Sequence, residues 1–179
     1  MANKKITLIL ASSSKARIEL LERVGYKPKQ IHHPNVDESV LYGESPKNYV
    51  IRLAELKAKT ALNLYKNSYI LGADTVIVSG NKIIGKAKNY DEAYKILSKL
   101  SGKKHRVFGG ICLISPKKNI VTRAIVTRVS FKYISSHEIK EYLATNEWKD
   151  KAGSYAIQGY ASRFIKHING NYDNVVGLS

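Results

Sequence analysis

Short apolar runs alternate along this chain with segments whose apolar residues recur at helical spacing. The run from Ile6 to Leu10 predicts a first strand, stopped by Ser12-Ser13-Ser14. A helix follows to about Val24, with Leu20, Leu21 and Val24 as its stripe, Arg17 one turn earlier on that stripe, and Gly25 as its close. The segment Ile31 to Tyr42 has no period and carries His32, His33, Asp37 and Glu38. Ser45-Pro46, a capping residue before a first-turn proline, opens a helix to about Tyr65. Val50, Leu53, Ala54, Ala58, Ala61 and Leu62 form its buried face, and Lys57 falls inside that stripe. A lysine there either snorkels to water or is held by a partner.

Ile70 to Val78 is the most strand-like run, interrupted by Asp74. A carboxylate in such a run must be paired, metal-bound, at the strand's lip or bonded to backbone amides, because burying it alone is too costly. Ser79-Gly80-Asn81 turns the chain, Ile83-Ile84 returns as a short strand, and the hairpin brings Lys86 back toward Asp74. Asn89 with Glu92 and Ser135 with Glu138 have the spacing of capping boxes and open two further helices, the second through Leu143. Between them, Arg106–Ile114 and Ile120–Phe131 predict an antiparallel hairpin. Beyond Trp148 the chain becomes glycine-punctuated, with Tyr155, Gln158, Tyr160 and Tyr172 between the glycines. The expected architecture is α/β: a single compact unit, residues 1–179, with a central mixed β-sheet flanked by helices.

Composition narrows the function. No apolar run approaches the roughly 18–20 residues of a membrane span, so no membrane association is expected. The basic start Met1-Ala2-Asn3-Lys4-Lys5 leads into serines rather than a cleavage site, which argues against a signal peptide. A single cysteine, Cys112, excludes an internal disulfide and any multi-cysteine metal site, and the expected location is the cytoplasm. Thirty Lys and Arg against 14 Asp and Glu leave a formal charge of +16, which calls for polyanionic partners. Between Glu92 and Glu138 there is no acidic residue at all. That span lacks a recognised nucleic-acid motif, so a solvated basic face is the plainer account and nucleic acid is not the expected partner.

Asp37, Glu38 and Asp74, with Lys57, Lys86 and Arg17, are the carboxylates and cations a phosphate-handling site requires. Few carboxylates hold Mg²⁺ when substrate phosphates complete its shell, and the cations neutralise charge on the transferred group. The turn from strand through Ser12 into a helix start suits an anion, although no P-loop glycines are present. His32 and His33 lack the spacing of a zinc pair, and no Gly-x-Ser-x-Gly elbow occurs. These residues favour a phosphate-handling enzyme, yet alone they do not separate it from an RNA binder.

In order, the chain carries Leu10-Ala11-Ser12-Ser13-Ser14-Lys15-Ala16-Arg17, Asp37-Glu38, Arg52-Leu53-Ala54 with Lys57-Ala58, and Gly72-Ala73-Asp74-Thr75-Val76. Gly85-Lys86, Leu100-Ser101-Gly102-Lys103 with His105, Lys151-Ala152-Gly153-Ser154-Tyr155-Ala156-Ile157-Gln158-Gly159 and Asn174-Val175-Val176-Gly177-Leu178 follow. Together these resemble the Maf family of nucleoside triphosphate pyrophosphatases over nearly the whole chain. The resemblance implies hydrolysis between the α and β phosphates with Mg²⁺ or Mn²⁺, by a homodimer. It makes Asp74 the general base and a metal-side carboxylate, with Glu38 sharing metal or water positioning. Ser12, Arg17, Lys57 and Lys86 would hold the triphosphate. Gln158, with Lys57, matches the subfamily that prefers dTTP and UTP; a purine such as dITP or XTP, or 7-methyl-GTP, is the alternative substrate. A non-catalytic nucleic-acid-binding module is the alternative of a different class. The chain departs from the family pattern at Lys15, Ala16, Ala87 and Ser179 and lacks a threonine after His105-Arg106-Val107, but none of these is a proposed catalytic group.

Overall fold

The computed structural model describes residues 7–179; the basic start and Ile6, the first residue of the predicted strand, lie outside the described residues. The protein is α/β. Its mixed sheet has seven strands in the order β2-β1-β3-β5-β6-β7, with β4 paired to β3. Those strands are β1 (Leu8–Ala11), β2 (Gln30–His32), β3 (Tyr69–Ser79), β4 (Lys82–Ile84), β5 (Lys104–Ile114), β6 (Ile120–Phe131) and β7 (Ile165–Asn169). The helices are α1 (Lys15–Arg23), α2 (Pro46–Ala61), α3 (Tyr90–Leu100), α4 (Ser136–Ala144) and α5 (Tyr172–Val176). The residues group into two compact units. One comprises the described chain through Asp74, Gly109–Ile125 and Leu178; the other comprises Thr75–Phe108, Val126–Gly177 and Ser179.

In the first unit β1 pairs in parallel with both neighbours, Leu10 standing opposite Ile31 on β2 and Leu71 on β3. Strands covered on both faces read as continuous apolar runs, and all four residues of β1 are buried. The core joins Ile9, Ala11 and Ile70 to Ala54, Ala58 and Ala61 of α2 and to Cys112 and Ile114 of β5. Cys112 is thus a small buried hydrophobe, as its place in a strand predicts. Two glycines set the distance between helix and sheet. A Cβ on Gly72 would overlap the Ala54 carbonyl oxygen and stand 2.8 Å from the Ala58 amide nitrogen, and a Cβ on Gly110 would overlap the Val50 carbonyl. Glycine at both points lets the backbone of α2 lie directly on β3 and β5.

In the second unit β3 turns at Gly80, with φ +59°, into antiparallel β4. Its core gathers Leu97 and Leu100 of α3, Val129 and Phe131 of β6, Tyr142 and Leu143 of α4, and Trp148, Tyr155 and Phe164. The Ser135–Glu138 capping box forms in full. At α3 only half of the predicted box forms: Asn89 accepts from the Glu92 amide, while Glu92 turns to the Lys88 amide. His105 is buried at the edges of Phe131 and Tyr155, with Nε2 2.9 Å from the Tyr155 hydroxyl. Burial pushes its imidazole down to about 4, so it is neutral at pH 7.

Three predicted boundaries shift. β2, Gln30–His32, runs into the start of the Ile31–Tyr42 segment, which has no sequence period. α2 ends at Ala61 rather than near Tyr65, because Leu62 and Leu64 tighten into turns by bonding the Lys59 and Ala61 carbonyls. The glycine-punctuated end contains a 3-10 turn over Tyr160–Phe164, the edge strand β7 and the short α5. Among the described residues no helix is long and apolar enough to cross a membrane.

Candidate active site

The first unit collects five of the residues singled out from sequence: Ser12, Arg17, Glu38, Lys57 and Asp74. Ser12 follows β1 and is buried. Its hydroxyl accepts from the Ser14 amide at 3.3 Å and from Arg17 Nη1 at 2.8 Å. Ser14, the residue before α1, makes no side-chain cap, so the helix opens with amide groups not claimed by its capping residue. Arg17 is buried on the apolar side of α1 beside Leu20 and Leu21. Burial pulls its guanidinium below the usual arginine value, against the opposing effect of the Asp74 and Glu38 charges.

Lys57 settles the choice its spacing left open. It is only 7% exposed and does not snorkel to water. Its Nζ lies 2.6 Å from Asp74 Oδ1 and 2.7 Å from Glu38 Oε1. One ammonium therefore bridges a buried carboxylate on β3 and a half-exposed one on the loop before α2. Asp74 avoids the cost of lone burial through that contact. The Gly72 approach makes it possible, since it brings α2 close to the strand two residues before Asp74.

The loop that carries Glu38 is tied down from several sides. Asp37 accepts from the Ser39 amide and hydroxyl, both at 2.9 Å, in a local Asx turn that lowers its own pKa, chiefly through the amide. Of the adjacent pair, only Glu38 faces Lys57. Tyr49 donates its hydroxyl to the Glu38 carbonyl at 2.7 Å. Arg52 forks onto Glu44, Nε to Oε1 at 2.6 Å and Nη2 to Oε2 at 2.7 Å, and Nη2 also reaches the Ser39 carbonyl at 2.9 Å. The Arg52 bond holds the Glu44 carboxyl below its ordinary value. Burial, then the Asp74 and Glu38 charges, push the Tyr49 hydroxyl up to about 12, so it stays protonated and able to donate. Tyr49 and Glu44 are not among the residues the sequence marks as candidates, and Arg52 enters there only within Arg52-Leu53-Ala54. The available signal was the i, i+4, i+8 series Tyr49, Leu53 and Lys57, which puts the tyrosine and the lysine on one stripe of α2.

Lys86 and Gln158 belong to the second unit and are both exposed. Lys86 follows β4 and bridges antiparallel to Ala152, beside the Gly153 amide that donates to the Gly85 carbonyl at 2.9 Å. Gln158 follows the buried run Gly153–Ile157. His33 lies just past β2 and pairs with the Ser13 hydroxyl, whereas His32, expected in a loop, is the last residue of β2 and pairs with the Thr60 hydroxyl.

The donor set limits what the first unit could hold. Among the described residues no group of three or more His, Cys, Asp or Glu is assembled. Glu38 and Asp74 both meet the Lys57 ammonium, each with a second carboxylate oxygen beside it, and one or two carboxylates is what Mg²⁺ takes from a protein when phosphates and water complete its octahedron. The pair fits a divalent ion that arrives with a phosphorylated substrate and does not fit an all-protein zinc site.

Fold and site define an α/β protein with an acid–base–acid cluster, buried at Lys57 and Asp74 and open at Glu38, beside a buried arginine whose charge Asp74 and Glu38 oppose, a set of groups suited to phosphate chemistry. A family model described as Maf-like protein matches residues 7–179. A nucleoside triphosphate pyrophosphatase of Ehrlichia ruminantium is 46% identical over 96% of this chain and 89% of its own length. A dTTP/UTP pyrophosphatase of Wolbachia pipientis is 45% identical over 96% of this chain and 87% of its own. A dTTP/UTP pyrophosphatase of Paramagnetospirillum magneticum is 44% identical over 96% and 90%. The chain belongs to the Maf family.

Proposed function

We propose that this protein hydrolyses nucleoside triphosphates, with dTTP and UTP preferred, to the monophosphate and pyrophosphate. The observation that carries the proposal is the Lys57 ammonium held between Asp74 and Glu38; relatives named as dTTP/UTP pyrophosphatases support it. In the reaction, water attacks the α phosphorus in line. The new P–O bond forms as the bond to the α–β bridging oxygen breaks, and pyrophosphate leaves with that electron pair. Asp74 orients the water and takes its proton, with Lys57 fixing the carboxylate's position. Arg17, with the Ser12 hydroxyl bonded to it, offers positive charge to the phosphates. Lys86 is assigned a phosphate contact and Gln158 a base contact by the family pattern. Mg²⁺ or Mn²⁺ held by Glu38 and Asp74 would supply charge neutralisation and a more acidic water, which matters because a carboxylate is a weak base at neutral pH.

Family membership further supports a homodimer with residues 1–179 acting as one functional domain, and the single, buried Cys112 supports work in the cytoplasm. The test is pyrophosphate release from dTTP, UTP, CTP, GTP, 7-methyl-GTP and dITP, each with Mg²⁺, with Mn²⁺ and with chelator. Metal-dependent turnover led by dTTP and UTP is expected. A lead by dITP or 7-methyl-GTP would overturn the pyrimidine assignment of Gln158, and no turnover of any triphosphate would overturn the activity itself.

A further inference from the structure

Two α2 residues that the proposed chemistry does not use, Tyr49 and Arg52, touch the Glu38 loop. Glu38 is the exposed member of the acid–base–acid cluster, and its side chain is 50% accessible. A half-exposed carboxylate on a surface loop keeps its geometry only as well as the backbone beneath it is held. The loop carries little apolar anchoring, since Val40, Leu41 and Tyr42 are all exposed. Polar contacts must therefore hold it.

We infer that Tyr49 and Arg52 are positioning residues that act on catalysis through Glu38, a reading that rests on the pyrophosphatase assignment above. Tyr49 and Lys57 sit two turns apart on the same stripe of α2. The first grips the Glu38 backbone carbonyl and the second its carboxylate, so one rigid helix holds this residue at both ends. Arg52 holds the following stretch. Its Nη2 bonds the Ser39 carbonyl and Glu44, whose Oε2 also accepts from the Leu41 amide at 3.2 Å. Its guanidinium stands 5.5 Å from the Tyr49 ring centroid, so the two anchors are themselves in contact. The fork on Glu44 requires a planar guanidinium, and a lysine could not reproduce it. Neither residue is assigned a contact with substrate. Their effect is to hold Glu38 at the geometry in which it faces Lys57 and Asp74, and loss of such supporting contacts leaves a site present but loose.

The experiment compares Tyr49→Phe, Arg52→Lys and Arg52→Ala in the wild-type background and again in a Glu38→Gln background. Each is followed by pyrophosphate-release kinetics, thermal melting and amide hydrogen exchange of the segment 37–45. Tyr49→Phe keeps the ring packed and removes one hydroxyl, so about a fivefold to tenfold loss in kcat/KM with little change in melting is expected. Arg52→Ala should lose more, and Arg52→Lys should recover only part of it. All three should raise exchange in 37–45. In the Glu38→Gln background the same changes should cost almost nothing further, because residues acting through one group are not additive. Full additivity with Glu38→Gln, or unchanged exchange in 37–45, would overturn the inference. If the wild-type protein turns over no triphosphate, the pyrophosphatase reading fails; hydrogen exchange then still decides whether Tyr49 and Arg52 hold the loop.

Discussion

Asp74→Asn should lower kcat for pyrophosphate release by roughly 10²–10⁴-fold, the range lost with a general acid–base group. The reasoning is local. Asparagine has nearly the same shape, so β3 keeps its packing, and the amide oxygen can still accept from Lys57 in place of Asp74 Oδ1. It cannot take a proton from water and is a poor ligand for a divalent ion. Under the proposed assignments Arg17, Ser12 and Lys57 would still be offered to the triphosphate, so KM should change far less than kcat. Kinetics on a purified variant whose melting temperature stays near that of the wild type check this. Activity within tenfold of the wild type would remove Asp74 from the chemistry.

Lys57→Met is expected to damage stability as well as turnover. The methionine fills most of the same volume among Leu53, Ala54 and Ala58, so little packing is lost. The charge balance fails instead. Asp74, 6% exposed, would be left buried without its ammonium and facing Glu38, which also bonds to Lys57 in the native protein. Removing one partner of a buried ion pair costs about 3–5 kcal/mol, and the half-exposure of Glu38 places this case toward the lower figure. Denaturant melts give the readout. Adding Asp74→Asn to Lys57→Met should restore a large part of the lost stability, because the stranded charge is gone, while activity stays absent. If the single variant is as stable as the wild type, Lys57 is not compensating Asp74.

Strong local signals made much of this legible in the chain. The Ser45-Pro46 start of α2, the Ser135–Glu138 box and the long strands β3, β5 and β6 are written in caps and apolar runs. Asp74 and Lys57 stood out because each is charged at a position whose neighbours are apolar. Other features were hidden for physical reasons. β7 is an edge strand with Lys166, His167 and Asn169 exposed, so it shows no clean alternation. β2 has only three residues and owes its existence to pairing with β1. The choice of Glu38 over Asp37 depends on an Asx turn that occupies the first carboxylate locally and aims the second inward. The Arg52–Glu44 fork spans the junction of loop and helix, where no sequence period operates.

The most direct test of the central claim is to run the dTTP reaction with the wild-type protein in heavy-oxygen water and locate the label by mass spectrometry. Attack on the α phosphorus predicts one labelled oxygen in the monophosphate and none in the pyrophosphate. Label in the pyrophosphate, or orthophosphate as the first product, would contradict it, because water would then have attacked the β or γ phosphorus.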